Sequence, residues 1–143
     1  MKLVRSVLFD ASVYIDALRS GDFAFLSAYA PEGDVLLWLS AVVLEELYAG
    51  ASGSNLRTVE SLEASFTSLG RVLVPNHAEW VQAGRLLAKL ATKYGHEQIG
   101  RGRLTNDALI ALSAARLGIV VVTRNARDFV RIAEFCLFKW EAV

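Results

Sequence analysis

Short apolar runs of strand length alternate with helical runs along the whole chain, and this alternation restricts the fold more than any other feature. A run of about four to eight apolar residues between turn signals is typical of a buried strand. The five such runs are KLVRSVLF (2–9), DVLLWLS (34–40), RVLVP (71–75), IVVVT (119–123) and CLFKWEAV (136–143). Strands separated by helices form a mostly parallel sheet with helices on both faces. The sequence therefore predicts an α/β fold.

The segments between the predicted strands have helical spacing of apolar residues, or end at glycine or proline. The predicted helices cover 12–21, 22–33, 41–50, 54–70, 77–95, 104–118 and 125–135. Ser40 is a good N-cap for the third of them, and Thr105 or Asn106 is expected to cap the sixth. The segment HEQIGRGR (96–103) has no apolar period and is predicted to be a mobile loop.

The size and cysteine content of the chain favour one intracellular domain. A chain of 143 residues is long enough to bury roughly two thirds of its unfolded surface in a single domain, 1–143. The lone Cys136 offers neither an internal disulfide nor a zinc cluster, which favours the cytoplasm. Asp10 interrupts the first apolar stretch, so no signal peptide is predicted. The apolar run 35–44 is shorter than the ~20 residues of a spanning helix, so no membrane segment is expected.

Charge and composition give weaker information. Fifteen basic and fifteen acidic residues balance to a formal net charge of zero. The whole-molecule charge thus gives no argument for nucleic-acid binding, although a local basic patch remains compatible with it. The apolar fraction of 54% exceeds the ~45–50% usual for soluble domains. Part of that surplus is expected to cover a partner.

Acidic and polar side chains follow the predicted strands at the point where each strand ends. Asp10 and Ser12 follow the first strand, Glu45 and Glu46 lie on the helix after the second, Asp107 lies in the helix before the fourth, and Thr123, Asn125 and Asp128 end or follow the fourth. In open α/β sheets, ligands bind at the carboxyl edge, where these ends converge. Carboxylates packed together raise one another's pKa unless a cation neutralises them. The pattern therefore predicts a divalent metal site.

Each of these residues also has a purely structural interpretation. Asp10 is a good N-cap for the helix that follows it. Asp107 suits the first turn of a helix, and Asn125 with Asp128 resembles a capping box. The two adjacent glutamates would ordinarily lie on a solvated helix face. Capping, however, does not require acids behind successive strands, whereas a metal site does.

Three segments closely resemble the signature blocks of PIN-domain ribonucleases, particularly the VapC-type toxins of toxin–antitoxin pairs. They are VLFDASVYIDAL (7–18), LEELYAG (44–50) and TNDALIALSAARLGIVVVTRNARDF (105–129). Their order and spacing also agree, and the resemblance extends from Leu8 to Phe129. It implies a PIN-like fold and endonucleolytic cleavage of RNA.

Carried over by position, the resemblance implies a specific set of site residues. The catalytic acids are Asp10, Glu46, Asp107 and Asp128; the metal ligands among them are Asp10, Asp107 and Asp128; and the supporting residues are Ser12, Thr123 and Asn125. Family members place the fourth acid at the position of either Asn125 or Asp128, and we assign it to Asp128 because Asn125 brings no charge. Ala11 departs from the Thr or Ser usual in the family, which removes a hydroxyl but no proposed ligand.

Magnesium suits this site because it prefers oxygen ligands and is commonly held by one or two carboxylates, and manganese is expected to substitute. Such an ion lowers the pKa of a bound water and orients it for in-line attack on a phosphodiester. The basic residues near the acids, which would hold the RNA backbone, are Arg101, Arg103, Arg124 and Arg127. Arginines on loops are also ordinary solvated surface.

The resemblance further implies a homodimer whose active site is blocked by a small VapB-like antitoxin. Such a partner lays an amphipathic helix in an apolar groove. The residues available to line a groove are Phe23, Phe25, Leu26, Tyr29, Leu62, Phe66 and Leu69. A place in the ordinary core is the alternative for these side chains.

Two other classes of protein fit parts of the pattern. An aspartyl-phosphate phosphotransferase or a receiver domain also has an acid at the carboxyl edge of a sheet. Ser12 stands where the phosphotransferase motif requires a second Asp, and no Lys near Thr123 meets the receiver's requirement. The other alternative is a non-catalytic PIN-fold binding module, against which the intact Asp10, Glu46 and Asp107 argue.

Overall fold

The structure, a computed structural model, describes residues 4–29, 34–96 and 103–143. Within these residues, five strands form one sheet: β1 (Arg5–Phe9), β2 (Val35–Ser40), β3 (Val72–Leu73), β4 (Val120–Thr123) and β5 (Trp140–Ala142). Their order across the sheet is β3-β2-β1-β4-β5, and every pairing is parallel. The α/β prediction of a mostly parallel sheet is confirmed.

Seven helices are described in the same residues. They are α1 (Ala11–Ser20), α2 (Ala24–Tyr29), α3 (Ala41–Gly50), α4 (Ser54–Ser68), α5 (His77–Tyr94), α6 (Arg103–Leu117) and α7 (Ala126–Ala133). The chain extends the sheet first to one side of β1 and then to the other, so right-handed crossovers place the helices on both faces. Consistently, α1, α3 and α4 pack in sequence, and α5, α6 and α7 pack together. None of the helices in the described segments is both long and apolar enough to span a membrane.

The central strands carry the core and fix where the first acid lies. Val7, Leu8 and Phe9 of β1 are buried, as is all of β4, which agrees with strands that are apolar on both faces. Phe9 pairs with Val122 in the register of β1 and β4, and the backbone N–H of Asp10 donates to the Val122 carbonyl at 3.0 Å. This continuation of the pairing places Asp10 beside Thr123 at the carboxyl edge.

Of the two helix caps predicted for α3 and α6, the structure confirms the first and not the second. The Ser40 hydroxyl accepts a hydrogen bond from the Val42 N–H at 3.1 Å and caps α3, as predicted. Helix α6 instead begins at Arg103, so the prediction that Thr105 or Asn106 caps it is wrong. Leu104 is buried, and its packing favours an extra helical turn over the local capping signal. Most of the predicted loop 96–103 lies outside the described residues.

Candidate active site

Asp10 is held at the junction of β1 and β4 by three donors. One carboxylate oxygen, Oδ1, accepts from the Ser12 backbone N–H at 3.0 Å and from the Ser12 hydroxyl. The other, Oδ2, accepts from the Thr123 hydroxyl at 2.6 Å. The capping interpretation of Asp10 is therefore correct for α1, but the bond from Thr123 serves no cap. The carboxylate is a fixed part of the sheet edge.

Burial makes the Asp10 carboxylate costly to ionise. The residue is only 3% exposed, and this desolvation raises the pKa of Asp10 above its usual value, while the hydrogen bonds from Ser12 and Thr123 oppose the shift. A cation beside the carboxylate would favour the charged form. The environment of Asp10 is thus one that a bound cation would stabilise.

The residues assigned as supporting connect Asp10 to the loop after β4. The Ser12 hydroxyl accepts from the Arg124 backbone N–H at 3.0 Å. The Thr123 hydroxyl, which donates to Asp10, accepts from the Asn125 backbone N–H at 2.8 Å. Each hydroxyl thereby joins the carboxylate to the backbone that leads into α7. The structure brings Asp10, Ser12, Thr123 and Asn125 together.

Asn125 and Asp128 contact each other, but they form no capping box. The Asn125 side chain makes no capping hydrogen bond to α7; its amide donates to Asp128 Oδ2 at 2.7 Å. The capping-box prediction is wrong because the Asn125 backbone N–H, which a box would pair with Asp128, already donates to Thr123. Asp128 is half-buried. Its contact is with a supporting residue of the site.

The adjacent glutamates differ in exposure and in their contacts. Glu45 is exposed and Glu46 is half-buried. The Asn106 side-chain amide donates to Glu46 Oε1 at 2.7 Å and approaches Glu45 Oε2 at 3.4 Å. This contact joins α3 to α6 and puts the Glu46 carboxylate next to the residue that precedes Asp107. From the sequence, Asn106 was predicted only as a helix cap. Its position directly before Asp107 was the one sequence feature that could have indicated a role in the site.

Asp107 is buried, with 5% of its surface exposed. It lies near the start of α6, which ends just before β4 begins. The first turns of α6 therefore lie at the carboxyl edge of the sheet, as the sequence predicts for this acid. A buried carboxylate requires hydrogen bonds, a counter-charge or a metal ion.

The proposed ligand set does not form a closed cluster. In the parts of the chain that the structure describes, no group of three or more His, Cys, Asp or Glu side chains is close enough together to hold a metal ion. The direct contacts instead link Asp10 with the β4 loop and Glu46 with Asn106. The assignment of Asp10, Asp107 and Asp128 as metal ligands remains a prediction.

The structure describes three of the four arginines that were predicted to bind RNA. The Arg124 guanidinium pairs with Asp16 Oδ2 at 3.0 Å, and both side chains are about half exposed (50% and 47%). Arg127 is exposed and Arg103 begins α6. Arg101 lies outside the described residues. Their role in substrate binding stays a prediction.

Most side chains considered for an apolar groove are packed on the core. The Phe25 ring contacts the rings of Phe9 and Tyr14 edge to face, at centroid distances of 5.0 and 6.0 Å. Phe66 is buried, and Leu26 and Leu62 pack against the core. Leu69 is exposed, whereas the Tyr29 side chain is outside what the structure describes. The alternative of a core role thus holds for several of them.

A small pocket lies beside Glu46. Its volume is about 210 Å³, and it is lined by Ile15, Leu18, Arg19, Glu46, Leu47, Gly50, Ala51 and Asn55. The walls come from α1, α3 and the start of α4. These walls are partly apolar, and the Arg19 guanidinium and the Glu46 carboxylate are the charged groups among the lining residues.

The parallel sheet with buried acids at its carboxyl edge defines an α/β protein with an acid-rich candidate site. The sequence matches the PIN domain family over residues 7–135, and the chain belongs to that family. This assignment removes the phosphotransferase and receiver alternatives. A search of curated protein sequences gave no match.

Solved structures with the same fold include several toxin–antitoxin complexes. A DNA-bound VapBC from Salmonella typhimurium matches with a TM-score of 0.68 and 23% identity, over 98% of each chain. VapBC2 from Rickettsia felis, bound to a promoter DNA fragment, gives 0.61 and 21%, over 96% of this chain and 98% of the other. VapBC-1 from nontypeable Haemophilus influenzae gives 0.59 and 24%, over 96% and 97%. At these identities the likeness establishes the fold.

Proposed function

We propose that this protein is a magnesium-dependent endoribonuclease that acts as the toxin of a toxin–antitoxin pair. The observation that carries the proposal is the buried Asp10 carboxylate, which Ser12 and Thr123 hold at the carboxyl edge of a PIN-domain sheet. A purely structural cap requires no donor from a neighbouring strand. Half-buried Glu46 and buried Asp107 lie at the same edge.

The residues that would hold magnesium are Asp10, Asp107 and Asp128. Their oxygen donors match a hard cation, and the burial of Asp10 and Asp107 fits a site in which a cation offsets buried charge. Magnesium, when bound, supplies Lewis-acid chemistry at the scissile phosphate, and manganese can replace it.

The remaining residues position groups and move the proton. Ser12 and Thr123 fix both oxygens of Asp10, while Asn125 orients Asp128. Glu46 accepts a proton from the water that attacks phosphorus, since it is the acid of the adjacent pair that is partly removed from solvent. The bond from phosphorus to the 3′ oxygen breaks, and that oxygen takes a proton from solvent. The arginines around the edge, Arg101, Arg103, Arg124 and Arg127, contact the RNA backbone, with Arg124 leaving its pairing with Asp16.

The adjacent glutamates provide a matched test of the nuclease proposal. Glu46→Gln is expected to lower the rate of RNA cleavage by about 10²-fold or more, because a general base typically contributes ~10²–10⁴-fold. Glu45→Gln should change it less than about twofold, because exposed Glu45 has no assigned role. The measurement is cleavage of a fluorescent RNA with magnesium, repeated with chelator and after magnesium is restored. Equal losses in two folded variants would contradict the assignment, and a wild type without activity would favour the non-catalytic alternative.

The proposed partner is a small VapB-like antitoxin bound to a toxin homodimer. The fold matches chains from VapBC complexes, and the pocket beside Glu46 contains both apolar walls and Arg19. Exposed apolar side chains such as Leu69, Val74 and Trp80 supply further surface for association.

Co-expression with a small VapB-like antitoxin tests this partner. Expression of the chain alone is expected to arrest growth, and co-expression should restore growth and yield a complex with suppressed RNA cleavage. Sizing chromatography and the cleavage assay measure the two effects. A monomer that ignores the small protein and stays equally active would reject the toxin role while leaving the nuclease role intact.

A further inference from the structure

We propose that Asn106 is a positioning residue that holds the Glu46 carboxylate in its working orientation; this inference rests on the proposed nuclease function. The Asn106 Nδ2 atom lies 2.7 Å from Glu46 Oε1, a short distance for an N–H···O hydrogen bond. Its distance to Glu45 Oε2 is 3.4 Å, at the long end of the range. The amide therefore distinguishes between the two neighbouring acids.

The chemistry of the contact fixes which end of the Asn106 side chain faces Glu46. An ionised carboxylate only accepts hydrogen bonds, and the Asn side chain has one accepting and one donating end. Two carboxylates on the same side therefore require the NH₂ group to face them. One of its protons makes the short bond to Glu46 Oε1, and the approach to Glu45 Oε2 is at the weak, long end of the range. An aspartate at this position would set a third carboxylate against the pair.

The position of Asn106 in the fold makes the contact relevant to the site as a whole. Asn106 and Glu46 are 60 residues apart in sequence, and their bond joins α3 to α6. Asp107, the next residue of α6, is buried at the same edge of the sheet. The amide consequently sets where Glu46 stands relative to Asp107. A glutamate side chain has three rotatable bonds, and the hydrogen bond from Asn106 restricts the positions that the Glu46 carboxylate can sample.

Asn106→Ala should lower kcat about 10-fold or more, with KM and the unfolding midpoint nearly unchanged, because only the orientation of Glu46 is lost. Asn106→Gln, which keeps an amide, should recover part of the rate, whereas Asn106→Asp should lose at least as much as alanine. Thr105→Ala, the neighbouring change on α6, is the matched control and should leave kcat unchanged.

A double-mutant cycle separates positioning from a general structural effect. If Asn106 acts through Glu46, adding Asn106→Ala to Glu46→Gln should lower the rate by less than about twofold further. Losses that multiply would overturn the inference. Wild-type kcat in a folded Asn106→Ala variant would overturn it as well, and both results leave the proposed nuclease function standing.

A measurement without turnover keeps the test independent of the nuclease proposal. The side-chain NH₂ resonances of Asn106 are recorded by ¹⁵N NMR for the wild-type chain and for two variants. Relative to the wild type, they should shift strongly in Glu46→Gln and weakly in Glu45→Gln. Equal shifts, or none, would remove the specific contact with Glu46. A wild type that shows this NMR pattern but cleaves no RNA would instead reject the proposed function, and with it the role of Asn106 in catalysis.

Discussion

Asp10→Asn is expected to remove magnesium-dependent RNA cleavage while the protein still folds. Asparagine caps helices as well as aspartate does, so the Ser12 contacts at the start of α1 persist. The Thr123 hydroxyl, which donates to Asp10 at 2.6 Å and accepts from the Asn125 N–H, can accept from the new amide with its second lone pair, but its own proton then loses Asp10 as an acceptor. The charge at the proposed metal site is lost, and with it several kcal/mol of transition-state stabilisation, or roughly a hundredfold or more in rate.

The same substitution should change stability little at neutral pH, because the lost acceptor for the Thr123 proton is offset by removal of a buried carboxylate. Burial raises the pKa of Asp10 in the folded protein, so between the unfolded and folded pKa values the folded state binds more protons. Stability therefore falls as the pH rises through that interval. Above it, the buried charge of Asp10 is a cost, which a neutral asparagine avoids. A buried carboxylate that lowers stability in its charged form is typical of a functional site.

The measurements are the cleavage rate over a magnesium titration and the thermal midpoint at pH 7. Asp22→Asn is a suitable control, because Asp22 is exposed and accepts from the Ala24 N–H at the start of α2. It should leave both quantities near their wild-type values. Wild-type cleavage by Asp10→Asn would show that Asp10 has only a structural role.

The strands could be predicted because their signal is strong and local. IVVVT is apolar on both faces and became the fully buried β4, while the prediction for CLFKWEAV was confirmed only at Trp140–Ala142. The cap of α6 was predicted wrongly because tertiary burial of Leu104 outweighs a capping signal at Thr105. Local patterns thus identify elements better than they locate their ends.

The contacts of the candidate site also differ in how well the sequence predicts them. The neighbourhood of Asp10, Ser12 and Thr123 follows from the register of two central strands. The contact between Asn106 and Glu46 could not be predicted, because it joins two helices that no local pattern relates. The spacing of Asn125 and Asp128 in the sequence is the same as that of a capping box. Only the Thr123 hydroxyl, by taking the Asn125 N–H, decides between the two.

Phe129→Ala is expected to lower the free energy of unfolding by about 3–5 kcal/mol, the usual cost of truncating a buried phenylalanine. The Phe129 side chain is fully buried, and its ring lies 6.0 Å from that of Phe138 and 6.5 Å from that of Trp140. It therefore ties α7 to the last strand. A loss of this size is a large share of the ~5–15 kcal/mol that stabilises a typical domain.

Val130→Ala is the matched control for Phe129→Ala, because Val130 is the next residue of α7 and is 50% exposed. Its effect should stay within about 0.5 kcal/mol. Phe129→Leu, which fills more of the space, should lose less than alanine and keeps the test usable if Phe129→Ala does not fold. Urea unfolding followed by circular dichroism measures all three variants. Similar small losses at Phe129 and Val130 would show that α7 does not depend on the aromatic contacts. Packing of Phe129 would then not explain why Asp128, the residue before it, is held beside Asn125.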